Sequence, residues 1–182
     1  LIYVVGGGVT TVNVYDPSGN SWSIAAAMPS ARYGPGAAAS GGRLYVFAGW
    51  NGGYQRNTYQ YDPGTNAWTP RASTAADHYL FSAVERNGII YALGGATGAG
   101  NSPVVEAYDP GTDTWTTVTA MLNARDGGAA GVIAGRVTIA GGSTVTTEEG
   151  RFNELPPGGS FTFTITGTVG DVAATTTVYN QA

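Results

Sequence analysis

Four short apolar runs follow one another in the middle of the chain, at residues 79–84, 89–93, 104–108 and 115–118. The first run ends at Asn87-Gly88, a dipeptide that favours a two-residue hairpin turn. The second run stops at a glycine doublet, and the third ends in an Asp-Pro-Gly-Thr turn. Because every connection is short, each strand should lie antiparallel beside the one before it. The pattern therefore predicts a four-stranded meander.

This strand pattern belongs to a repeat of 46 to 47 residues. A Tyr-Asp-Pro turn begins at Tyr15, Tyr61 and Tyr108, and seven residues after each Tyr stands Trp22, Trp68 or Trp115. Ten residues after each Trp come Arg32, His78 and Arg125. Small-residue doublets end four apolar runs, at Gly6-Gly7, Ala48-Gly49, Gly94-Gly95 and Gly141-Gly142. Four-stranded meanders repeated at this interval predict the blades of a β-propeller.

The glycine doublet, the Tyr-Asp-Pro turn and the Trp together resemble the blade signature of the kelch family over about residues 1–142. The resemblance implies an all-β, kelch-type β-propeller of four-stranded antiparallel blades, with the strand after Arg32, His78 or Arg125 innermost. Ala48 departs from the family pattern, which has Gly at that place in the doublet. We expect about four blades, near residues 1–28, 32–74, 78–120 and 125–142 onward, of which the first lacks its innermost strand.

The repeated aromatic residues have a predicted place in these blades. The Tyr and Trp side chains are large apolar wedges suited to the gaps between blades, and their polar tips can reach backbone groups. We therefore expect Trp22, Trp68 and Trp115 to lie in the core.

The tail, residues 143–182, changes to a Thr-rich alternation with a period of two, which is typical of half-buried strands. Its Leu-x-Pro-Gly run and its Asn-x-Ala ending resemble the closing half of an immunoglobulin-like repeat of bacterial surface proteins. Half a sandwich leaves its apolar face open, so we expect the tail to dock on the propeller rather than to fold independently. In that arrangement residues 145–152 and 160–167 complete the last blade, and 172–179 lie beside 1–5, which covers both sheet edges.

Composition removes several classes of function. The net charge of -4 and the scattered basic residues do not suit a duplex nucleic-acid partner, and no apolar run approaches the roughly 18–20 residues of a membrane span. The absence of Cys excludes disulfides, thiolate zinc sites and cysteine nucleophiles. His78 is the only imidazole, so we predict no catalytic residue, no metal site and no cofactor. The repeated Asp of each Tyr-Asp-Pro turn is predicted to cap its turn rather than to act in catalysis.

A candidate binding face follows from the strand order. The start of the first strand and the end of the second lie on the same side of an antiparallel blade, which places Arg32, His78 and Arg125 on one face near the loops 50–57 and 96–103. In kelch adaptors the matching Arg positions grip acidic peptides, and the resemblance could extend to Arg32 and Arg125. The alternative is that all three side chains satisfy polar groups of an adjacent blade. The predicted ligand-binding residues are Arg32, His78, Arg125, Trp50, Asn51, Tyr54 and Arg56; the aromatic, amide and Arg side chains of the loop can stack on sugar rings or anchor a protein partner.

These residues favour a non-catalytic propeller that binds or scaffolds a protein or glycan partner. Low charge, loops rich in Thr, Ser, Asn and Gly, and the resemblance of the tail indicate a bacterial secreted or cell-surface protein. The alternative is a fragment of a carbohydrate-active kelch enzyme, galactose oxidase-like or sialic acid epimerase-like, whose catalytic residues lie outside this chain. The copper site of the galactose oxidases needs a Tyr–Cys crosslink and two His ligands, and this chain does not supply them.

Overall fold

The computed structural model describes residues 1–144, 167–169 and 172–174, and every strand pair in these ranges is antiparallel. No helix occurs among these residues. The chain divides into two compact units, Leu1–Val145 and Thr146–Ala182. The first unit contains the repeats, and its sheets follow the predicted meander.

Three blades account for most of the first unit. Blade 1 has three strands, β1 (Ile2–Val4), β2 (Val12–Asp16) and β3 (Ser21–Ala25). Blade 2 has four, β4 (Gly36–Ser40), β5 (Arg43–Phe47), β6 (Thr58–Asp62) and β7 (Ala67–Arg71). Blade 3 consists of β8 (Ser82–Arg86), β9 (Ile89–Leu93), β12 (Val105–Asp109) and β13 (Thr114–Val118), with a small hairpin of β10 (Ala96–Thr97) and β11 (Gly100–Asn101) inserted after β9. Among the described residues no further strand lies beside β1, the second strand of the repeat.

The repeat after blade 3 is described only in part. The strands β15 (Ala129–Ile133) and β16 (Arg136–Ala140) form a hairpin, and β14 (Arg125–Asp126) pairs with β17 (Ser143–Thr144). In the second unit β18 (Gly167–Val169) pairs with β19 (Val172–Ala174). Apart from residues 167–169 and 172–174, the segments predicted to dock on the propeller, 145–152, 160–167 and 172–179, lie outside the described residues.

The innermost strand of blade 3 begins later than predicted. The apolar run indicated a start at residue 79, but β8 begins at Ser82. Tyr79 forms an isolated bridge with Ala96, and Leu80 has a left-handed backbone with φ of 51°. A residue in that conformation cannot continue an extended strand, so the strand starts beyond it.

The core lies between the blades, and the second strand of blade 2, β5, is buried on both of its faces. On one face of β5, Leu44 and Val46 pack with Val12 and Val14 of blade 1. On the other face, Tyr45 and Phe47 pack with Ile90 and Tyr108 of blade 3. Alternate side chains of a strand point to opposite faces, so one continuous apolar run serves two neighbours.

A pair of hydrogen bonds, which we call the Ala clamp, joins blade 2 to blade 1 and blade 3 to blade 2. Asn66 Oδ1 accepts a bond from the backbone N–H of Ala26 at 2.8 Å, and Trp68 Nε1 donates to the Ala26 carbonyl at 2.8 Å. One repeat later Asp113 Oδ1 accepts from the N–H of Ala72 at 2.9 Å, and Trp115 Nε1 donates to the Ala72 carbonyl at 3.0 Å. The predicted reach of the Trp tips to backbone groups is thereby confirmed for Trp68 and Trp115.

The repeated turn residues hold the clamp in position. The Tyr of each Tyr-Asp-Pro turn donates its hydroxyl to the Asn or Asp five residues later, which we call the clamp residue. These bonds run from Tyr15 to Asn20 at 2.9 Å, from Tyr61 to Asn66 at 2.8 Å and from Tyr108 to Asp113 at 2.7 Å. The Asp of the turn accepts a backbone N–H two residues later, at Asp16, Asp62 and Asp109. These bonds confirm the predicted capping role of the three Asp residues.

One prediction about the aromatic wedges was wrong. Trp68 and Trp115 are half-buried against the two apolar clusters, but Trp22 is 63% exposed. Its ring contacts Tyr15, with the centroids 5.0 Å apart. A Trp of this repeat is covered by the blade before it, and no such blade stands against Trp22 among the described residues.

Candidate functional site

The loops that precede each first strand and follow each second strand meet on one side of the blades, as predicted. Tyr33 and Trp50 exchange backbone hydrogen bonds of 2.8 and 2.9 Å, and Ala96 N–H donates to the Tyr79 carbonyl at 2.7 Å. We call this side the loop face and define it by residues 30–35, 48–57, 76–81, 94–104 and 122–128.

The three repeat residues Arg32, His78 and Arg125 point into their own blades. Arg32 Nη1 donates to the Ala48 carbonyl at 2.8 Å, His78 Nδ1 lies 2.6 Å from the Gly94 carbonyl, and Arg125 Nη1 donates to the Gly141 carbonyl at 3.0 Å. Each partner is the first residue of the doublet that ends the second strand of the same blade. The side chains therefore fix the end of that strand. The alternative prediction, in which they bond to an adjacent blade, is wrong for these contacts.

The link to the adjacent blade is made by the backbone of the same three residues. The carbonyls of Arg32, His78 and Arg125 accept N–H bonds of 2.8 Å from Gly8, Gly49 and Gly95 respectively, each in the preceding blade. At each of these three positions, the side chain thus holds the end of the second strand of its own blade, and the backbone carbonyl joins that blade to the preceding one.

Arg32 and His78 do not reach the surface, since both are 0% exposed. Arg32 also donates to the Asn57 carbonyl at 2.9 Å, and its guanidinium lies 5.0 Å from the centre of the Tyr59 ring. Burial lowers the pKa of Arg32 from its usual value. Arg125 is only half-buried. An acidic ligand that bound Arg32 or His78 would have to replace these internal bonds. In this structure, therefore, two of the three predicted ligand-binding cations are buried and already hydrogen-bonded.

His78 has a buried carboxylate partner that the sequence reading missed. Its Nε2 lies 2.9 Å from Glu106 Oε2, and both side chains are 0% exposed. Glu106 also accepts backbone N–H bonds from Ala75 at 2.9 Å and Ala76 at 3.0 Å. Burial by itself raises the pKa of Glu106, but the bonds from His78, Ala75 and Ala76 outweigh it and the net pKa is lowered.

This arrangement fits an ion pair of an imidazolium and a carboxylate. The Gly94 carbonyl can only accept, so Nδ1 of His78 donates, and an ionised Glu106 requires Nε2 to donate as well. The register of the repeats contains the signal that could have revealed the pair. Tyr59 occupies the position of Glu106 one repeat earlier. Blade 2 therefore has Arg32 against Tyr59 where blade 3 has His78 against Glu106.

The predicted loop residues lie together on the loop face as an aromatic cluster. The rings of Trp50 and Tyr54 meet edge to face with centroids 4.9 Å apart, and the Trp50 and Tyr79 centroids are 6.2 Å apart. Tyr33, which pairs with Trp50 through the backbone, is 54% exposed, and Asn51 is exposed beside them. The sequence reading had not included Tyr33 and Tyr79, although each directly follows Arg32 or His78.

Arg56 is engaged with a neighbouring acid. Its Nε donates to Asp77 Oδ1 at 2.7 Å, and this bond raises the pKa of Arg56. The structure therefore brings Trp50, Asn51 and Tyr54 together at the surface, pairs Arg56 with Asp77, and places Arg32 and His78 below. Contact of these residues with a ligand stays a prediction.

The described part of the chain also bears on metal binding and on membrane insertion. No group of three or more His, Cys, Asp or Glu residues close enough to hold a metal ion occurs there. Within the same residues no helix has the length and apolar character to span a membrane.

The fold and these junctions define a class of protein, the β-propeller of four-stranded antiparallel blades. Residues 31–74 and 78–122 match the model of the Kelch motif, so the chain contains two kelch repeats. Those two matches correspond to blades 2 and 3.

A solved structure has the same fold. The structure of YjhT matches with a TM-score of 0.62 and 20% sequence identity, over 70% of this chain and 50% of YjhT. The match thus spans half of the length of YjhT, and at this identity it shows the fold alone. No curated protein matches the sequence. The kelch propeller is a fold used for binding and scaffolding, while a particular function depends on the site that the blades carry.

Proposed function

We propose that this protein is a non-catalytic binding or scaffolding propeller that holds a protein or glycan ligand on its loop face. The observation that carries the proposal is the aromatic cluster of Trp50, Tyr54 and Tyr79, with the exposed Tyr33 and Asn51 on the same face. Aromatic side chains offer a large contact area at a low entropy cost, and an amide can bond to hydroxyl or backbone groups of a ligand.

The internal bonds of the charged groups support a binding role over a catalytic one. His78 and Glu106 are the pair best suited to acid–base chemistry, but both are fully buried and hydrogen-bonded to each other and to the backbone. A general acid or base must reach the proton of a substrate. In this pair the donors and acceptors are already used to hold the fold.

The proposal is tested by probing glycan arrays and arrays of neutral and acidic peptides with the intact protein. Wild-type protein should bind a defined subset of spots, and the double variant Trp50→Ala, Asn51→Ala should lose about thirty-fold or more in affinity, which is the cost of truncating an interface anchor. Trp22→Ala is the matched control, because Trp22 is an exposed Trp outside the loop face. Equal binding by the loop-face variant would contradict the proposed site.

We further propose that the protein works outside the cell or at a bacterial cell surface. This rests on the 11% content of charged residues, the absence of Cys and the resemblance of the tail to bacterial surface repeats. Protease added to intact cells that produce the protein should remove it. Full protection in intact cells, with digestion after lysis, would count against this setting.

A further inference from the structure

Leu80 has a backbone conformation that a leucine adopts at a cost. Its φ is 51°, in the left-handed region, where an L side chain crowds the backbone. The residues in register in the neighbouring repeats are Gly34, with φ of 52°, and Gly127, with φ of 63°. The fold therefore requires this conformation in each repeat, and two of the three repeats meet the requirement with glycine.

Leu80 belongs to neither of the two apolar core clusters. Leu80 is 44% exposed on the loop face, and its side chain lies over Gly34, where an added Cβ would be 3.0 Å from Leu80 Cδ2. Its carbonyl accepts a bond of 2.6 Å from the N–H of Gly127, and a glycine could make that backbone bond equally well. A strained, half-exposed apolar residue at a position where glycine suffices is a candidate for a functional contact.

Aromatic side chains lie on the same face as Leu80, and two of the cations of this face are paired with carboxylates. Tyr79 precedes it and contacts Trp50, and Tyr33 is exposed on the same face. Arg56 is paired with Asp77 and His78 with Glu106, whereas Arg125, two residues before the Gly127 that bonds to Leu80, donates to the Gly141 carbonyl. The surface around Leu80 therefore offers mainly aromatic and aliphatic area.

We propose that Leu80 is a binding contact for a protein partner that presents a neutral aromatic or aliphatic side chain to the loop face. The inference rests on the proposed binding function and specifies its ligand. A leucine side chain has neither a π face nor a hydrogen-bonding group, so it gives a sugar ring with its many hydroxyls little to bind. An apolar side chain of a partner gains by the removal of both apolar surfaces from water.

The first test measures stability, because a structural role and a binding role predict opposite results. In Leu80→Gly the strain is relieved as in the two neighbouring repeats, so the urea midpoint should be unchanged or higher than that of the wild type. In Leu80→Ala the left-handed strain stays, so its midpoint should fall below that of Leu80→Gly. A clear drop in the midpoint of Leu80→Gly would show that the leucine serves packing and would overturn the proposal.

The second test measures binding with a phage-displayed library of short random peptides. Selection on the intact wild-type protein, after depletion on Leu80→Gly, should yield peptides rich in aromatic and aliphatic residues and poor in Asp and Glu. Their affinity should fall about ten-fold or more for Leu80→Gly, the expected loss for an interface contact. Ile24→Ala is the matched control, because Ile24 is an exposed apolar residue on β3, outside the loop face.

The outcomes separate this inference from the proposed function. Peptides that bind Leu80→Gly as well as the wild type but lose affinity for Trp50→Ala, Asn51→Ala overturn the role of Leu80 and leave the loop face as a binding site. Selection of acidic peptides, or binding confined to glycans in the array, overturns the neutral protein partner. Failure of both the array and the selection to yield a ligand dependent on the loop face overturns both proposals.

Discussion

The Ala clamp makes a quantitative prediction for Trp115→Phe. Phenylalanine keeps most of the ring that contacts Phe47 and Tyr108 but removes the Nε1–H group. That group donates to the Ala72 carbonyl at 3.0 Å and to Thr58 Oγ1 at 3.1 Å. Loss of a part-buried hydrogen bond that leaves an acceptor unpaired costs about 1–3 kcal/mol. We expect the free energy of unfolding to fall by that amount.

Trp22→Phe is the matched control, since the same substitution is made at the same position of the repeat. The indole of Trp22 is exposed and makes no hydrogen bond within residues 1–144, so its loss should change the free energy of unfolding by less than about 0.5 kcal/mol. Both variants should be unfolded in urea and followed by far-ultraviolet circular dichroism, because tryptophan fluorescence changes with the substitution itself. Equal destabilisation of the two variants would refute the clamp as the source of the difference.

Three further predictions concern the buried polar groups and the close approach of the blades. Arg32→Met removes the donor to the Ala48 carbonyl and should lower the free energy of unfolding by about 3 kcal/mol in urea titrations, whereas a residue kept only for a ligand would give no change. Because folding lowers the pKa of Glu106 below its usual 4.5, its contribution to stability is complete above that pH and is lost as the pH falls through the lowered value. Urea midpoints measured from neutral to acid pH should therefore drop more steeply in the wild type than in Glu106→Gln, and parallel curves would contradict the pair. Gly95→Ala places a Cβ 2.8 Å from the Tyr79 carbonyl oxygen and should cost about 1–3 kcal/mol more than Gly88→Ala, which meets nothing within 4 Å, although both residues have positive φ; equal thermal midpoints of the two variants would argue against a tight junction.

Sequence periodicity predicts the blades well because the residues that hold them together recur at the same interval. Tyr61 and Trp68 recur as Tyr108 and Trp115, and in each case they make the same bonds to a clamp residue and to an Ala of the preceding blade. A side chain whose role is local to the repeat can therefore be recognised from its spacing. The meander order, the strand ends and the Asp caps all follow from such local roles.

The site was less predictable because burial depends on what stands against a residue. Trp22 has the same place in the repeat as Trp115, but its exposure differs because no preceding blade covers it among the described residues. Arg32 and His78 follow Trp at the spacing that placed them on the loop face, and their side chains nevertheless turn inward to a carbonyl 16 residues away. Glu106 is 28 residues from His78, and only a comparison of paired positions between blades would have joined the two.

The repeat also separates residues that the fold requires from residues that it permits. At the clamp the chemistry stays constant, since Asn20, Asn66 and Asp113 all present a carboxamide or carboxylate oxygen from a left-handed turn. On the loop face the backbone is also constant but the side chains are not: Tyr33 and Tyr79 correspond to Asp126, and Leu80 corresponds to two glycines. Because the same backbone forms with each of these side chains, folding does not demand the variation. A ligand that contacts blades 2 and 3 more than the next repeat would explain it, and under the proposed binding function Tyr33, Tyr79 and Leu80 are the residues expected to set its specificity.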